Sequence, residues 1–255
     1  MNKIKNTCQY PEKWAIGIMS LLLKEGNSED PNNYRAITVI NSIAKVLAIM
    51  MNERLEKWCV ESNIIRKEQI GFEKHSRPSD HLFVAKTIID SYSNQNKKIY
   101  ACFVDFRKAF DSVWRTGLFF KLIKNNMSTN FIKLIQNMYE KTSNHLKINE
   151  GISKSFKTNQ GVQQGDILSP RLFNIFINDI PLLFDETCEP PKLGNESINC
   201  LMYADDLVIL SESAIGIQNC LDRLKQYTVE WGLEINRNKT SNDLSKMWKK
   251  NEARF

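Results

Sequence analysis

Asp205 and Asp206 stand side by side between two apolar runs, Cys200-Leu201-Met202 before them and Leu207-Val208-Ile209-Leu210 after. Short continuous apolar runs of this kind read as strands buried on both faces. Adjacent carboxylates cannot follow such strands into an interior, because repulsion and lost hydration would drive at least one toward its protonated form. The pattern therefore predicts two strands over Ile198 to Leu210, broken at Asp205-Asp206. Side chains alternate along a strand, so the two carboxylates can share a site only across a tight turn. A divalent cation would offset their repulsion, with Asp205 as direct ligand and Asp206 partly behind it.

A second carboxylate belongs to the same argument. Asp105 ends the β-favouring run Ile99 to Val104, which is apolar on both faces as a central strand would be. Taken alone such an Asp is most often a helix cap or a surface charge, a role that Asp111 fits better at the start of the following helical stretch. Asp105, Asp205 and Asp206 together suit in-line displacement at phosphorus with two Mg²⁺ roughly 4 Å apart. Mg²⁺ takes oxygen ligands and keeps several waters, so two or three carboxylates suffice.

The remaining pattern is mixed. Helices are expected over Asn41 to Cys59 and Leu82 to Tyr92, the latter capped by Ser79-Asp80, and again through Leu118 to Leu122 and Phe131 to Met138. Others are expected from Pro170 through Ile180 and over Ala214 to Trp231, the last closed by Gly232. His145 to Ile148, Asn149-Glu150-Gly151 and Ile152 to Phe156 read as a hairpin. Strands and helices without strict βαβ alternation predict an α+β fold.

Composition narrows the class. No apolar run approaches the roughly 18 residues that span a bilayer. Trp14 to Leu23 reads as a buried strand and not as a secretory signal, since Pro11-Glu12 interrupts its approach and Lys24-Glu25-Gly26-Asn27 stands where small cleavage-site residues belong. The six cysteines are scattered and the three histidines lie far apart, which speaks against zinc and for buried thiols in a reducing, intracellular compartment, nucleus or cytoplasm. Net charge is +6, unevenly placed: Arg107 to Arg171 holds 11 Lys/Arg against 4 Asp/Glu, and Asp185 to Glu234 holds 3 against 10. The first stretch suits phosphates and the second divalent cations, though each could equally be a solvated surface.

The residues so far singled out fall into a recognisable order. Phe103-Val104-Asp105-Phe106-Arg107-Lys108-Ala109-Phe110-Asp111 resembles the first catalytic motif of reverse transcriptases, especially those of non-LTR retrotransposons. Gly161-Val162-Gln163-Gln164-Gly165-Asp166-Ile167-Leu168-Ser169-Pro170 resembles their glutamine-glycine motif, and Tyr203-Ala204-Asp205-Asp206 their metal-binding hairpin. Upstream, Asn33-Tyr34-Arg35-Ala36-Ile37, with Ala36 where the family usually has Pro, and Gln69-Ile70-Gly71-Phe72 with Ser79-Asp80 resemble the fingers motifs. Downstream, Gly232-Leu233-Glu234-Ile235-Asn236 with Lys239-Thr240 resembles the motif after the hairpin. Six motifs in family order span about Pro11 to Thr240.

The resemblance implies a right-hand polymerase: fingers over 1–98, a palm with an antiparallel sheet over 99–240, then a basic tail over 241–255 in place of a thumb. It implies RNA-directed DNA synthesis with two Mg²⁺, an RNA template, a DNA primer and deoxynucleoside triphosphates. Asp105, Asp205 and Asp206 would be catalytic and metal-binding. Phe110 would stack under the incoming sugar and exclude a 2′-hydroxyl, or be a core residue at a strand–helix junction. Arg35 would grip the triphosphate, the alternative being a surface ion pair. Gln164 and Gly165 would line the nucleotide pocket, in a loop feeding a helix capped by Asp166 or Ser169. Lys239 would neutralise the departing pyrophosphate, or be a solvated lysine. The rival readings are an inert nucleic-acid-binding remnant and a nucleotide cyclase on a related palm; the cyclase leaves Arg35, the Gln164 motif and the basic stretch unexplained.

Overall fold

A computed structural model describes residues 4, 7–24, 26–148, 151–237 and 240. Lys239 and the tail over 241–255 lie outside the described residues. The strands are β1 (Ile16–Leu23), β2 (Tyr34–Ile40), β3 (Tyr100–Asp105), β4 (Ser143–Ile148), β5 (Gly151–Ile152), β6 (Lys192–Leu193), β7 (Glu196–Ser197), β8 (Cys200–Tyr203) and β9 (Asp206–Ser211). The helices are α1 (Ser42–Glu61), α2 (Pro78–Asn94), α3 (Ala109–Ser112), α4 (Arg115–Lys124), α5 (Thr129–Lys141), α6 (Ser169–Ile177) and α7 (Ala214–Trp231). The chain forms two compact units, each assembled from two separate stretches: Met1–Ile64 with Phe110–Phe176, and Ile65–Ala109 with Ile177–Phe255.

The first unit carries a sheet in the order β2-β1-β4-β5, with β1 antiparallel to β2 and parallel to β4. The expected strand at Trp14 to Leu23 is there, but it is not buried. Ile16, Ile18 and Leu22 are 44%, 37% and 52% exposed. Both edges of β1 are paired over residues 17–20, while side chains on both faces stay exposed, Leu21 and Leu23 (40% and 47%) lying on the face opposite Ile16, Ile18 and Leu22. Its β-branched and aliphatic content serves the pleat more than a core. Helix α1 starts where Asn41 accepts a hydrogen bond from the Ile43 amide at 2.9 Å. Its buried stripe is Ala44, Leu47, Ala48, Met51, Leu55 and Cys59, whereas Ile43, Val46 and Met50, which also follow helical spacing, are exposed. In α6, by contrast, Leu172, Phe173, Ile175, Phe176 and Ile177 are all at most 1% exposed, so this helix is interior all round.

The second unit is built on an antiparallel sheet in the order β3-β9-β8, as the resemblance led us to expect. The alternation of β3 serves two cores. Ala101 joins Leu201 and Leu210 in packing against Ala85, Ile88 and Tyr92 of α2. On the other face Cys102, Val104, Leu207, Ile209, Cys200 and Met202 are all at most 3% exposed. Each such apolar side chain contributes about 1.5–3 kcal/mol relative to exposure. Helix α2 begins at Pro78, not at Ser79-Asp80. Asp80 lies in its first turn and reaches back to accept the Arg77 amide at 2.8 Å. Helix α7 runs from the Ser213 cap to Gly232, whose φ of 69° ends it in the left-handed region. Burial pushes the thiols of Cys102 and Cys200 up, as fits inert core cysteines. No helix among the described residues is long and apolar enough to cross a membrane.

Candidate active site

The β3–β9 register sets Asp105 directly opposite Asp206. Directly opposed residues share a face with their Cβ atoms about 5 Å apart, an arrangement that is unfavourable for like charges. Tyr203 pairs with Asp206 in turn, so β8 and β9 are joined by a loop of just Ala204 and Asp205. The chain thus breaks one residue earlier than the sequence suggested, and Asp206 opens a strand. Ala204 takes a φ of 55°, the positive value that two-residue hairpins demand.

A non-glycine residue in that conformation has to be held, and Gln69 holds it. Its buried side chain accepts from the Ala204 amide at 2.9 Å and donates to the Ala204 carbonyl at 3.1 Å. The same oxygen accepts from the Gly71 amide at 2.8 Å. Residues 68–70 run beside β8, with Met202 N donating to Glu68 O and Ile70 N to Met202 O, so the strand edge next to the turn is paired. The approach is so close that a Cβ on Gly71 would lie 2.1 Å from the Ala204 nitrogen. His81 adds a tie, with Nε2 at 3.0 Å from the Glu68 carbonyl; burial pushes its protonation to lower pH.

Arg35, Phe110, Gln164 and Gly165 belong to the first unit. Gln164 Nε2 donates to both carboxylate oxygens of Asp111, at 2.8 and 2.9 Å. Asp111, exposed in the first turn of α3 as expected of a cap or surface charge, is also the group that orients Gln164. The Gln164 carbonyl accepts from Thr38 of β2, and Gly165, with φ of 105°, passes so near that a Cβ would meet the Thr38 oxygen at 2.7 Å. Arg35 is an exposed residue of that same strand. Phe110 stacks on buried Phe173, centroids 4.8 Å apart and rings tilted by 15°, so its plane is fixed while the residue stays half-buried. Arg115 pins the approach to the loop, donating to the carbonyls of Thr158, Gln160 and Gly161 and lying 4.5 Å over the Tyr139 ring. Asp166 accepts from Leu168 N in the turn before α6 and is buried, which pushes its carboxyl up.

Among the described residues no three His, Cys, Asp or Glu side chains close around a single metal position. The donor set nevertheless suits a hard cation: carboxylate oxygens only, two of them facing each other and a third on the joining turn, as a Mg²⁺ that keeps most of its waters requires.

Residues 22–254 match the family described as reverse transcriptase (RNA-dependent DNA polymerase). The chain belongs to the reverse transcriptase family. Members of this family generally use divalent metal ions. The chain is 26% identical over 250 residues to the RNA-directed DNA polymerase from mobile element jockey of Drosophila melanogaster, covering 94% of itself and 26% of that protein. It is 27% identical over 234 residues to the retrovirus-related Pol polyprotein from type-1 retrotransposable element R2 of Nasonia vitripennis, covering 92% of itself and 22% of that protein. It thus spans about a quarter of the length of these relatives. Among solved structures, apo telomerase from Candida tropicalis, truncated from its C-terminal domain, shares the fold with a TM-score of 0.65 at 16% identity over 94% of this chain and 53% of the other. This is an α+β fingers-and-palm reverse transcriptase fold.

What sequence reasoning missed is the support around the motif residues: Asp111 behind Gln164, Gln69 behind Ala204, and Asn236, whose amide meets Asp105. Each lies inside a motif, but spacing carries no signal of such pairings across more than 50 residues.

Proposed function

We propose that the chain is an RNA-directed DNA polymerase, extending a DNA primer on an RNA template by two-metal nucleotidyl transfer with Mg²⁺. The observation that carries the reading is the opposition of Asp105 and Asp206 beside the Ala204–Asp205 turn, in a chain of the reverse transcriptase family. Like charges set against each other on a rigid sheet are held there unfavourably, and a bound cation offsets their repulsion.

Asp105, Asp205 and Asp206 supply the oxygens that would hold the ions. When bound, Mg²⁺ lowers the pKa of the attacking 3′-hydroxyl and stabilises the leaving pyrophosphate. The protein's share is positioning. Gln164, with its amide nitrogen committed to Asp111, presents its oxygen in a set direction to the nucleotide. The ring of Phe110, backed by Phe173, sets the floor under the sugar and excludes a 2′-hydroxyl. Arg35 offers a guanidinium to the triphosphate. Lys239 would serve the pyrophosphate. The fingers are taken as 1–98 and the palm as 99–240, and the positive stretch Arg107 to Arg171 supplies phosphate contacts.

The test is Mg²⁺-dependent extension of a DNA primer annealed to RNA, with Asp105→Asn and Asp205→Asn as controls. Wild type should extend and both variants should lose incorporation. Asp206→Asn, which removes one of the opposed charges, should melt at or above the wild-type temperature without metal. Wild-type extension rates in the Asp105 variant would overturn the assignment. A folded wild type that incorporates nothing would leave a nucleic-acid-binding remnant.

A further inference from the structure

The chain leaving α7 is turned back at Gly232 and anchored by buried Leu233, whose amide donates to Thr228 O at 2.9 Å. Its next residues pair antiparallel with residues 105–107, at the C-terminal end of β3 on the side away from β9. Arg107 N donates to Glu234 O at 2.7 Å, Ile235 bridges Phe106, and Asn236 N donates to Asp105 O at 2.8 Å. These backbone bonds fix the register, and a slip of one residue would turn Asn236 to the opposite face. In the register observed, Asn236 Nδ2 donates to Asp105 Oδ2 at 3.0 Å. A carboxylate's terminal torsion is broad, so an unheld Asp samples many rotations. A donor fixed by the backbone on one oxygen selects among them and leaves the other oxygen for a different partner. The Arg107–Glu234 ion pair beside it is exposed and adds little.

We propose that Asn236 is a positioning residue for Asp105, holding its carboxylate in the rotation that serves cation binding together with Asp205 and Asp206. The inference rests on the polymerase reading above. Partners that orient metal-binding side chains typically matter about 10- to 100-fold in metal affinity or activity.

The experiment compares wild type with Asn236→Leu, which keeps bulk without a donor, Asn236→Gln, which keeps a donor on a longer arm, and Asp105→Asn. One readout is the rise in melting temperature during Mn²⁺ titration, with no nucleic acid or nucleotide present. The other is the Mg²⁺ concentration giving half-maximal primer extension. The Leu variant should melt near wild type without metal, yet need about 10-fold more of either ion. The Gln variant should recover part of that loss. Should the Leu variant not fold, Asn236→Ala is read by the same criteria. A Leu or Ala variant that melts lower without metal but keeps the wild-type Mn²⁺ response would show a purely structural amide and overturn the proposal. If Asp105→Asn leaves the wild-type Mn²⁺ response intact, the cation does not use Asp105, and the polymerase assignment of that residue falls with the inference. A Mn²⁺ response lost in Asp105→Asn but unchanged in the Leu variant sinks the inference alone.

Discussion

Asp166 is a buried carboxyl of the first unit, and its burial sets a pH dependence. Desolvation raises its folded-state pKa above the ordinary 3.8, so the fold favours the protonated form. Its contribution to stability is therefore fully present below 3.8 and is lost as pH rises through the raised folded value. Asp166→Asn keeps an acceptor for the Leu168 amide without the charge. It should stabilise the protein at pH 7, an advantage that shrinks toward pH 4 in paired urea titrations. Phe110 gives a second expectation. With its ring flat on Phe173, Phe110→Val opens space where a sugar would rest, and the deoxy-over-ribo ratio of kcat/KM should fall by about 10- to 100-fold. An unchanged ratio would make Phe110 a core residue only. The motif residues were legible because their chemistry is unusual: paired carboxylates in apolar runs have few structural explanations. Asp111 was not, because a carboxylate just after a strand fits a cap as readily as a partner for an amide 53 positions away.

Among the elements, residues 68–71 do for the Ala204–Asp205 turn what a neighbouring strand does for a sheet. They pair with Met202 and Ala204, and the Gln69 side chain completes the pairing where the backbone turns away. Gly71→Ala would place a methyl group 2.1 Å from the Ala204 nitrogen, against backbone that cannot rotate aside. We expect a loss of about 3 kcal/mol in urea unfolding, with extension falling further than the unfolded fraction explains. A neutral substitution would mean that the turn tolerates displacement. Element existence was readable from period and propensity, as in β3, β8, β9 and α7. Environment was less so. The aliphatic run of β1 is paired with strands on its edges yet exposed on both faces, and the exposed Ile43, Val46 and Met50 of α1 share the spacing of its buried stripe. Neither outcome is written in periodicity, because it depends on which neighbour arrives.

For the whole molecule, charge and connectivity follow different maps. The stretch Arg107 to Arg171, with 11 Lys/Arg against 4 Asp/Glu, falls almost wholly in the first unit, and the acidic stretch Asp185 to Glu234 in the second. Nucleic-acid affinity should therefore fall steeply with salt. Replacing exposed Lys147 and Lys154 with Gln should flatten the slope of log K against log salt by about 1 for each phosphate no longer neutralised, measured by fluorescence anisotropy between 50 and 200 mM salt. An unchanged slope would place the nucleic acid elsewhere. The sequence revealed the motif order but not that each unit is assembled from two stretches, since nothing local in a strand names its partner. That assembly has a consequence for biosynthesis. Strand β3 leaves the ribosome about 100 residues before β9, which pairs along it, and residues 234–236, which bond to residues 105–107, follow later still. At roughly 5–20 residues per second, an apolar strand waits on the order of 5–20 s without its β9 partner. Nascent chains of this protein should therefore lean on a chaperone that shields unpaired strands, and slowing translation between codons 110 and 200 should lower the soluble yield.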